Sequence, residues 1–133
     1  MIRPFEHKPA DLAQLAGWCR MRGFEEFRDN DLPPCGFIED DVAVGFVYFT
    51  DAGVAFVETL ITNPIAPAPM RHRALCDIGE ALIAEAKNRG ARRILAFTSD
   101  DSIKRRAIGY GFSSLGLFEL FELSCPEHIS SRI

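Results

Sequence analysis

From Gly36 to Thr62 the chain alternates short apolar runs with tight polar breaks: "GFIE", "DD", "VAVGFVYFT", "DAG", "VAFVETLIT". Two or three turn residues between β-rich runs predict hairpins, and so a three-strand antiparallel meander. In the second run Val42, Val44 and Phe46 alternate with Ala43, Val47 and Phe49. Both parities are apolar, which predicts a sheet covered on both faces. Upstream, "IRPFE" reads as a short extended piece. "KPADLAQLAGWCRMRG" follows as a helix, with Leu12, Leu15, Ala16 and Cys19 at helical spacing, Pro9 in the first turn and Gly23 at the end. "FEEFRDNDLPPCG" has no period and reads as a loop that Phe24 and Phe27 could anchor to the core.

Beyond the proline-spotted "NPIAPAP" the period lengthens. Leu75, Ile78, Gly79, Leu82, Ile83 and Ala86 form one stripe of a helix that Gly90 ends, while Asp77, Glu80, Lys87 and Asn88 lie off it. "RRILAFTS" returns to a strand pattern, and a crossover of this length predicts that it runs parallel to the strand ending near Thr62. "DDSIKRRAIGYG" predicts a second short helix, capped by Asp100 or Asp101, with Ile103, Ala107 and Ile108 facing inward. "FSSLGLFELFEL" predicts a closing strand before a polar tail. The order β-α-β-β-β-α-β-α-β over a single domain, residues 1–133, implies an α/β fold with a mixed sheet and helices on both faces.

Composition narrows the partners. A chain of 133 residues with 47% hydrophobic and 26% charged positions is that of a folded globular domain. A net charge of −4 counts against nucleic acid or an anionic membrane as partner, and the local "RHR" and "KRR" clusters do not reverse that. No apolar run reaches the length of a membrane span, and the N-terminus lacks the basic-then-apolar order of a secretion signal, so a cytoplasmic location is expected. The four cysteines (Cys19, Cys35, Cys76, Cys125) and three histidines (His7, His72, His128) are scattered without metal-ligand spacing. Reduced thiols and no metal site are expected.

Two places carry candidate chemistry. Arg71, His72 and Arg73 sit where the long helix would start, although basic groups are unfavourable beside a helix's positive end. An anion there would relieve that cost; a solvated basic patch is the alternative. Glu58 is the one charge in "VAFVETLIT" and shares strand parity with Val54, Phe56 and Leu60. It is either a functional carboxylate whose pKa partial burial raises, or a cross-strand or strand-end glutamate reaching solvent.

The element order, "EALIAEAKNRGARRILAFTS" and "GYGF" together resemble the GCN5-related N-acetyltransferases, the GNAT family, over essentially the whole chain. The resemblance implies that the strands flanking the central helix splay apart and that acetyl-coenzyme A lies in the opening, its pyrophosphate at the helix N-terminus. The family's loop signature falls here on Arg71, Ala74 and Cys76, or one residue earlier on Met70, Arg73 and Leu75; either register departs from its glycines. The implied cofactor contacts are therefore Leu60, Ile61 and Thr62 on the strand, and Arg71, His72, Arg73, Ala74, Leu75 and Cys76 on the helix start. Glu58 matches the glutamate that deprotonates the acceptor amine, and amides near Leu60 to Thr62 would steady the oxyanion. The family's tyrosine acid is replaced by Ala107, and Tyr110 stands in for its leucine. The closing strand pair is expected to be shortened or absent.

The function expected from the resemblance is transfer of an acetyl or acyl group from acyl-CoA to a small-molecule or peptide amine by direct attack. The rival expectation is an inactive GNAT-fold binding or assembly protein of a bacterial or phage kind. Leu117, Phe121 and Leu123 on one side of the closing segment, with Phe118 and Leu120 on the other, leave an apolar edge that a homodimer could close or that the first helix or the proline loop could cover.

Overall fold

The computed structural model describes residues 1–25, 27 and 31–125. Five strands form one sheet in chain order: β1 (Arg3–Pro4), β2 (Cys35–Glu39), β3 (Ala43–Phe49), β4 (Val54–Thr62) and β5 (Arg93–Ala96). All neighbours are antiparallel except β4 and β5, which α2 (Ala68–Asn88) joins as a parallel pair. Helix α1 (Pro9–Met21) precedes the meander and α3 (Asp101–Gly109) follows β5.

The alternation of β3 divides the core into two layers. Ala43 and Val47 join Ala55, Val57 and the α2 stripe Ala74, Ile78, Leu82 and Ala86. Val44 and Phe46 join Phe5, Ile38, Ile61 and the α1 residues Leu15, Trp18 and Cys19. Period 2 meets period 3.6 on each face, and the sheet is covered from both sides as its apolar parities predict. Gly45 marks the tightest contact with α2: a Cβ there would lie 2.5 Å from Leu60 Cδ2 and 2.8 Å from Ile78 Cγ2.

The meander, α1, α2, β5 and α3 form as their patterns predict. Asp100 is the cap of α3, its carboxylate accepting from the N–H groups of Ser102 and Ile103. Three expectations need correction. The closing strand is not formed: residues 113–125 pair with no strand, and Leu117, Leu120, Phe121 and Leu123 are almost wholly exposed. Neither α1 nor the proline loop covers them. A strand is stable only with an edge to bond, and propensity alone does not dock it. Ile108 is exposed rather than inward, because α3 meets α2 through Ile103, Ala107 and Tyr110. The long helix begins at Ala68, earlier than the Arg71–Arg73 cluster, because Pro67 and Pro69 have a fixed φ suited to a helix's first turn. The expected polar tail after Cys125 lies outside the described residues.

The chain's N-terminal arm is fastened by Arg3. Its guanidinium donates to Asp11 at 2.6 and 3.1 Å and to Asp40 at 2.8 and 3.1 Å, and the Glu6 N–H donates to Asp11 at 2.7 Å. Asp11 is buried and its carboxyl is held below the usual range, first by Arg3; Asp40 is held at about 2 by Arg3 and then Gln14. Carboxyls depressed in the folded state stabilise it above their unfolded pKa, near 4, and that contribution is lost as pH falls toward the folded values. Arg3→Met should cost about 1–2 kcal/mol at pH 7, a figure discounted for the partial exposure of Arg3. Urea denaturation from pH 7 to 2 should also show a shallower loss of stability below pH 4 in the variant than in the wild type.

Candidate active site

The β4–β5 ladder runs through Val54↔Arg93, Ala55↔Ile94, Phe56↔Leu95 and Val57↔Ala96 and then stops, although β4 continues to Thr62. From Glu58 onward the β5-facing backbone of β4 has no strand partner. The cause lies on the other side of β4. Its register against β3 steps from Phe46↔Glu58 to Val44↔Ile61, two residues on β3 against three on β4, which is a β-bulge. Within it Thr59 has φ +58°, a left-handed conformation that a β-branched residue rarely adopts. A bulge bends its strand, and here it begins directly after Val57, where the ladder to β5 ends at Ala96.

The bulge also reassigns side chains. Strict alternation would put Leu60 on the same face as Glu58. Instead Leu60 joins the α2 layer against Gly45 and Ile78, while Ile61 is buried in the α1 layer. The expected parity of Glu58 with Leu60 is thus corrected by one inserted residue. Glu58, two residues after Phe56 and opposite in parity to Val57, remains on the α1 face at the fork. Burial raises its pKa, and among the described residues no hydrogen bond or charge offsets the desolvation. Tyr48 lies beside it. Its hydroxyl donates to the Asp31 carbonyl at 3.2 Å. Burial, with a contribution from the Glu58 charge, keeps that phenol protonated well past neutrality. The far end of β4 is fixed by Arg22, whose guanidinium donates to the Thr62 carbonyl at 2.8 Å and to its hydroxyl at 2.5 Å.

On the α2 side of the fork lies a narrow cleft of about 50 Å³ among Val57, Leu60, Leu75, Gly79, Ala107 and Tyr110. Tyr110 closes it. Its hydroxyl donates to the Cys76 carbonyl at 2.7 Å, and burial, followed by the neighbouring Cys76, pushes its pKa to about 12.

Arg71, His72, Arg73, Ala74, Leu75 and Cys76 all fall in the first turns of α2. Their amides are therefore helical rather than free: the Arg71 N–H already donates to the Pro67 carbonyl at 3.0 Å. Pro67 gives the helix no capping side chain and Pro69 has no N–H, so the free amides at this end belong to Ala68 and Met70. A broad surface hollow of about 510 Å³ touches Pro67 and Met70, but Glu39, Asp40 and Asp41 rim it and give it the wrong sign for an anion. The anion-binding potential lies instead between α2 and α3. Arg71 Nε and Arg106 Nε and Nη1 are buried with no hydrogen-bond partner among the described residues. Arg106 Nη2 lies 2.9 Å from His72 Nδ1, and His72 Nε2 lies 3.7 Å from Cys76 Sγ. A guanidinium only donates, so Nδ1 accepts and the ring proton sits on Nε2, facing the sulfur. Arg106 was not singled out in the sequence; the "KRR" run held it, but only the packing of α3 on α2 selects it from that run. Among the described residues no three His, Cys, Asp or Glu side chains converge on a metal position, and no helix is long and apolar enough to cross a membrane.

A buried donor without a partner costs roughly 1–3 kcal/mol. Arg106→Met should therefore leave the free protein as stable or up to about 2 kcal/mol more stable in urea denaturation. It should also abolish any rise in melting temperature that millimolar inorganic pyrophosphate produces in the wild type.

No protein-family model matches the sequence, and no curated protein matches it. Solved structures do match its fold. A protein of Agrobacterium tumefaciens described as an acetyltransferase superposes with a TM-score of 0.68 at 15% identity, covering 92% of this chain and 99% of that one. An aminoglycoside N-acetyltransferase in complex with CoA gives 0.64 at 14% identity, covering 94% and 100%. A GNAT-family acetyltransferase of Streptococcus pneumoniae gives 0.61 at 16% identity, covering 93% and 97%. With a five-stranded mixed sheet, a bulged fourth strand and a fork beyond it, the chain has the fold of the GNAT acetyltransferases, in a sequence that has diverged far from theirs.

Proposed function

We propose that the protein is an N-acyltransferase that moves an acetyl or related acyl group from acyl-CoA to an amine. The observation that carries this reading is the fork itself: a parallel pair whose ladder ends at Val57↔Ala96, with a half-buried carboxylate, Glu58, directly after it. The cofactor also fits on chemical grounds. The orphaned guanidinium N–H groups of Arg71 and Arg106 would meet its phosphates, with the amides of Ala68 and Met70 close by on the same helix end. The apolar walls from Leu60, Leu75 and Tyr110 would line its slender arm.

Bound acyl-CoA supplies a thioester carbonyl activated toward amines. The chain's own part is positional and electrostatic. Glu58 accepts the amine's proton, and its raised pKa brings it nearer the range in which a carboxylate works as a base. Arg22 holds Thr62 and, with the bulge, keeps the end of β4 apart from β5, so that Leu60 to Thr62 can offer backbone donors to developing charge. With Ala107 at the position of the family's acid, the departing thiolate leaves without a positioned donor; positioning then provides most of the rate.

The loss of an amide at Pro69 and the acidic rim of the neighbouring hollow favour the rival reading, a non-catalytic binding protein on the same fold. One pair of measurements separates them. For an acyltransferase, acetyl-CoA at 100 times its Kd stabilises by about 2.7 kcal/mol, a rise of several degrees in melting temperature. Glu58→Gln should keep that shift yet lower kcat by about 10²- to 10⁴-fold. In the wild type kcat/KM should rise with pH through the raised Glu58 pKa, because only the carboxylate accepts a proton, and the variant should lack that limb. Absence of any thermal shift with acetyl-CoA overturns the reading in favour of its rival.

We also propose that two copies associate through residues 115–123. Each copy carries an open β5 edge and an extended segment apolar on both sides, so a two-fold pair satisfies both at once. Sedimentation equilibrium should give a dimer, and Leu117→Asp with Phe121→Asp should return a folded monomer. A monomeric wild type would exclude the pairing.

A further inference from the structure

The α1 face of the sheet is not evenly covered. The α1 layer extends from β1 to β3 and takes in Ile61 at the end of β4, but Tyr48, Phe56, Leu95 and Phe97 lie outside it. All four belong to the face of Glu58: Phe56 and Glu58 alternate with Ala55 and Val57 of the opposite layer, Leu95 and Phe97 alternate with Ile94 of that layer, and Tyr48 follows Val47. Phe97 stacks on Phe56 with centroids 5.9 Å apart and planes inclined by 10°, yet remains 58% exposed. An aromatic pair, open on one side, thus forms a shelf beside the fork, and the one carboxylate on that strip of β4 is Glu58.

Resting on the acyltransferase reading, we infer that the acceptor is a primary amine carried close to an aromatic or apolar body, which lies on the Phe56–Phe97 shelf while its nitrogen meets Glu58. Three observations support this class. Phe56 and Glu58 are two residues apart on one strand face, about 7 Å, which matches an amine separated from a ring by a two- or three-atom arm. A ring face attracts apolar groups and cations but gives nothing to hydroxyls. A sugar-like or polycationic acceptor would need several carboxylates; β4 itself supplies one, Glu58, and the charge of Asp31 also reaches Tyr48. The narrow cleft on the other face is, on the acyltransferase reading, taken by the cofactor's arm. The acceptor's body therefore belongs on the α1 side.

The same chemistry occurs in a free arylalkylamine and in the α-amine of a peptide that begins with an aromatic residue. The test uses the full chain with acetyl-CoA and four acceptors: phenethylamine, a phenylalanyl dipeptide amide, spermidine and an aminoglycoside. One or both aromatic amines should exceed the other two in kcat/KM by about tenfold or more, the scale expected of one apolar contact surface; the better of the two identifies the source. Phe97→Ala should raise KM for that amine about tenfold with little change in kcat, leave ethylamine turnover unaltered and leave the acetyl-CoA thermal shift intact. Equal or better use of spermidine or the aminoglycoside overturns the inference while sparing acyl transfer. Calorimetry of phenethylamine against wild type and Phe97→Ala, without acetyl-CoA, is the second measurement. Binding that depends on Phe97 without turnover upholds the shelf and sinks the acyltransferase reading; no binding and no turnover overturns both, and a wild-type dimer in which the shelf is covered and binds nothing overturns the shelf alone.

Discussion

The bulge at Thr59 is the constraint on which the site depends. A parallel pair left to itself continues its ladder, since each added pair of residues satisfies backbone groups that would otherwise need water. Here one extra residue in β4, held at φ +58°, ends the ladder at Val57 and Ala96. A β-branched residue in that conformation stores on the order of 1–3 kcal/mol of strain, so the surroundings must hold it. They do so from two directions: Arg22 fixes Thr62, and Leu60 is seated against Gly45 and Ile78. The glycine at position 45 is part of the same device, because a larger residue would push Leu60 out of the α2 layer and with it the bulge.

The bulge also gives the two faces different tasks. On the α2 side stand the apolar cleft and the part-buried guanidinium groups of Arg71 and Arg106; on the α1 side stand Glu58, Tyr48 and the aromatic shelf. The two sets meet only where the ladder has parted. A reaction that joined a long anionic donor to a small basic acceptor would need such a separation, with one partner on each side of the sheet and a gap for the reacting atoms between them.

The electrostatics at the start of α2 follow the same economy of means. Two prolines set the helix's first turn but leave few amides, and the hollow beside them is acidic. Positive charge enters instead from side chains, and from a second helix. Arg106 reaches His72, and Tyr110 is tied to the Cys76 carbonyl, so α3 is the element that completes this corner. Gly79 permits the approach, since a Cβ there would come within 3.3 Å of the Tyr110 ring.

Much of this was legible in the residues. Two-residue period and tight breaks specify the meander; the stripe from Leu75 to Ala86 specifies α2 and its buried face; Asp100 and Asp101 mark the start of α3, the structure choosing the first as cap; and Glu58 stands out as a charge in an apolar strand. These are local signals, carried by spacing and by the backbone preferences of a few residues. What the tertiary structure decided is of another kind. Whether residues 113–125 form a strand depends on docking against an edge, and they pair with no strand among the described residues although that of β5 is open. The face of Leu60 depends on one inserted residue whose effect is set by β3 and α2, not by β4. Arg106 and Phe97 become neighbours of the site only when α3 packs on α2 and β5 lies beside β4, contacts between segments distant in sequence that no local pattern encodes.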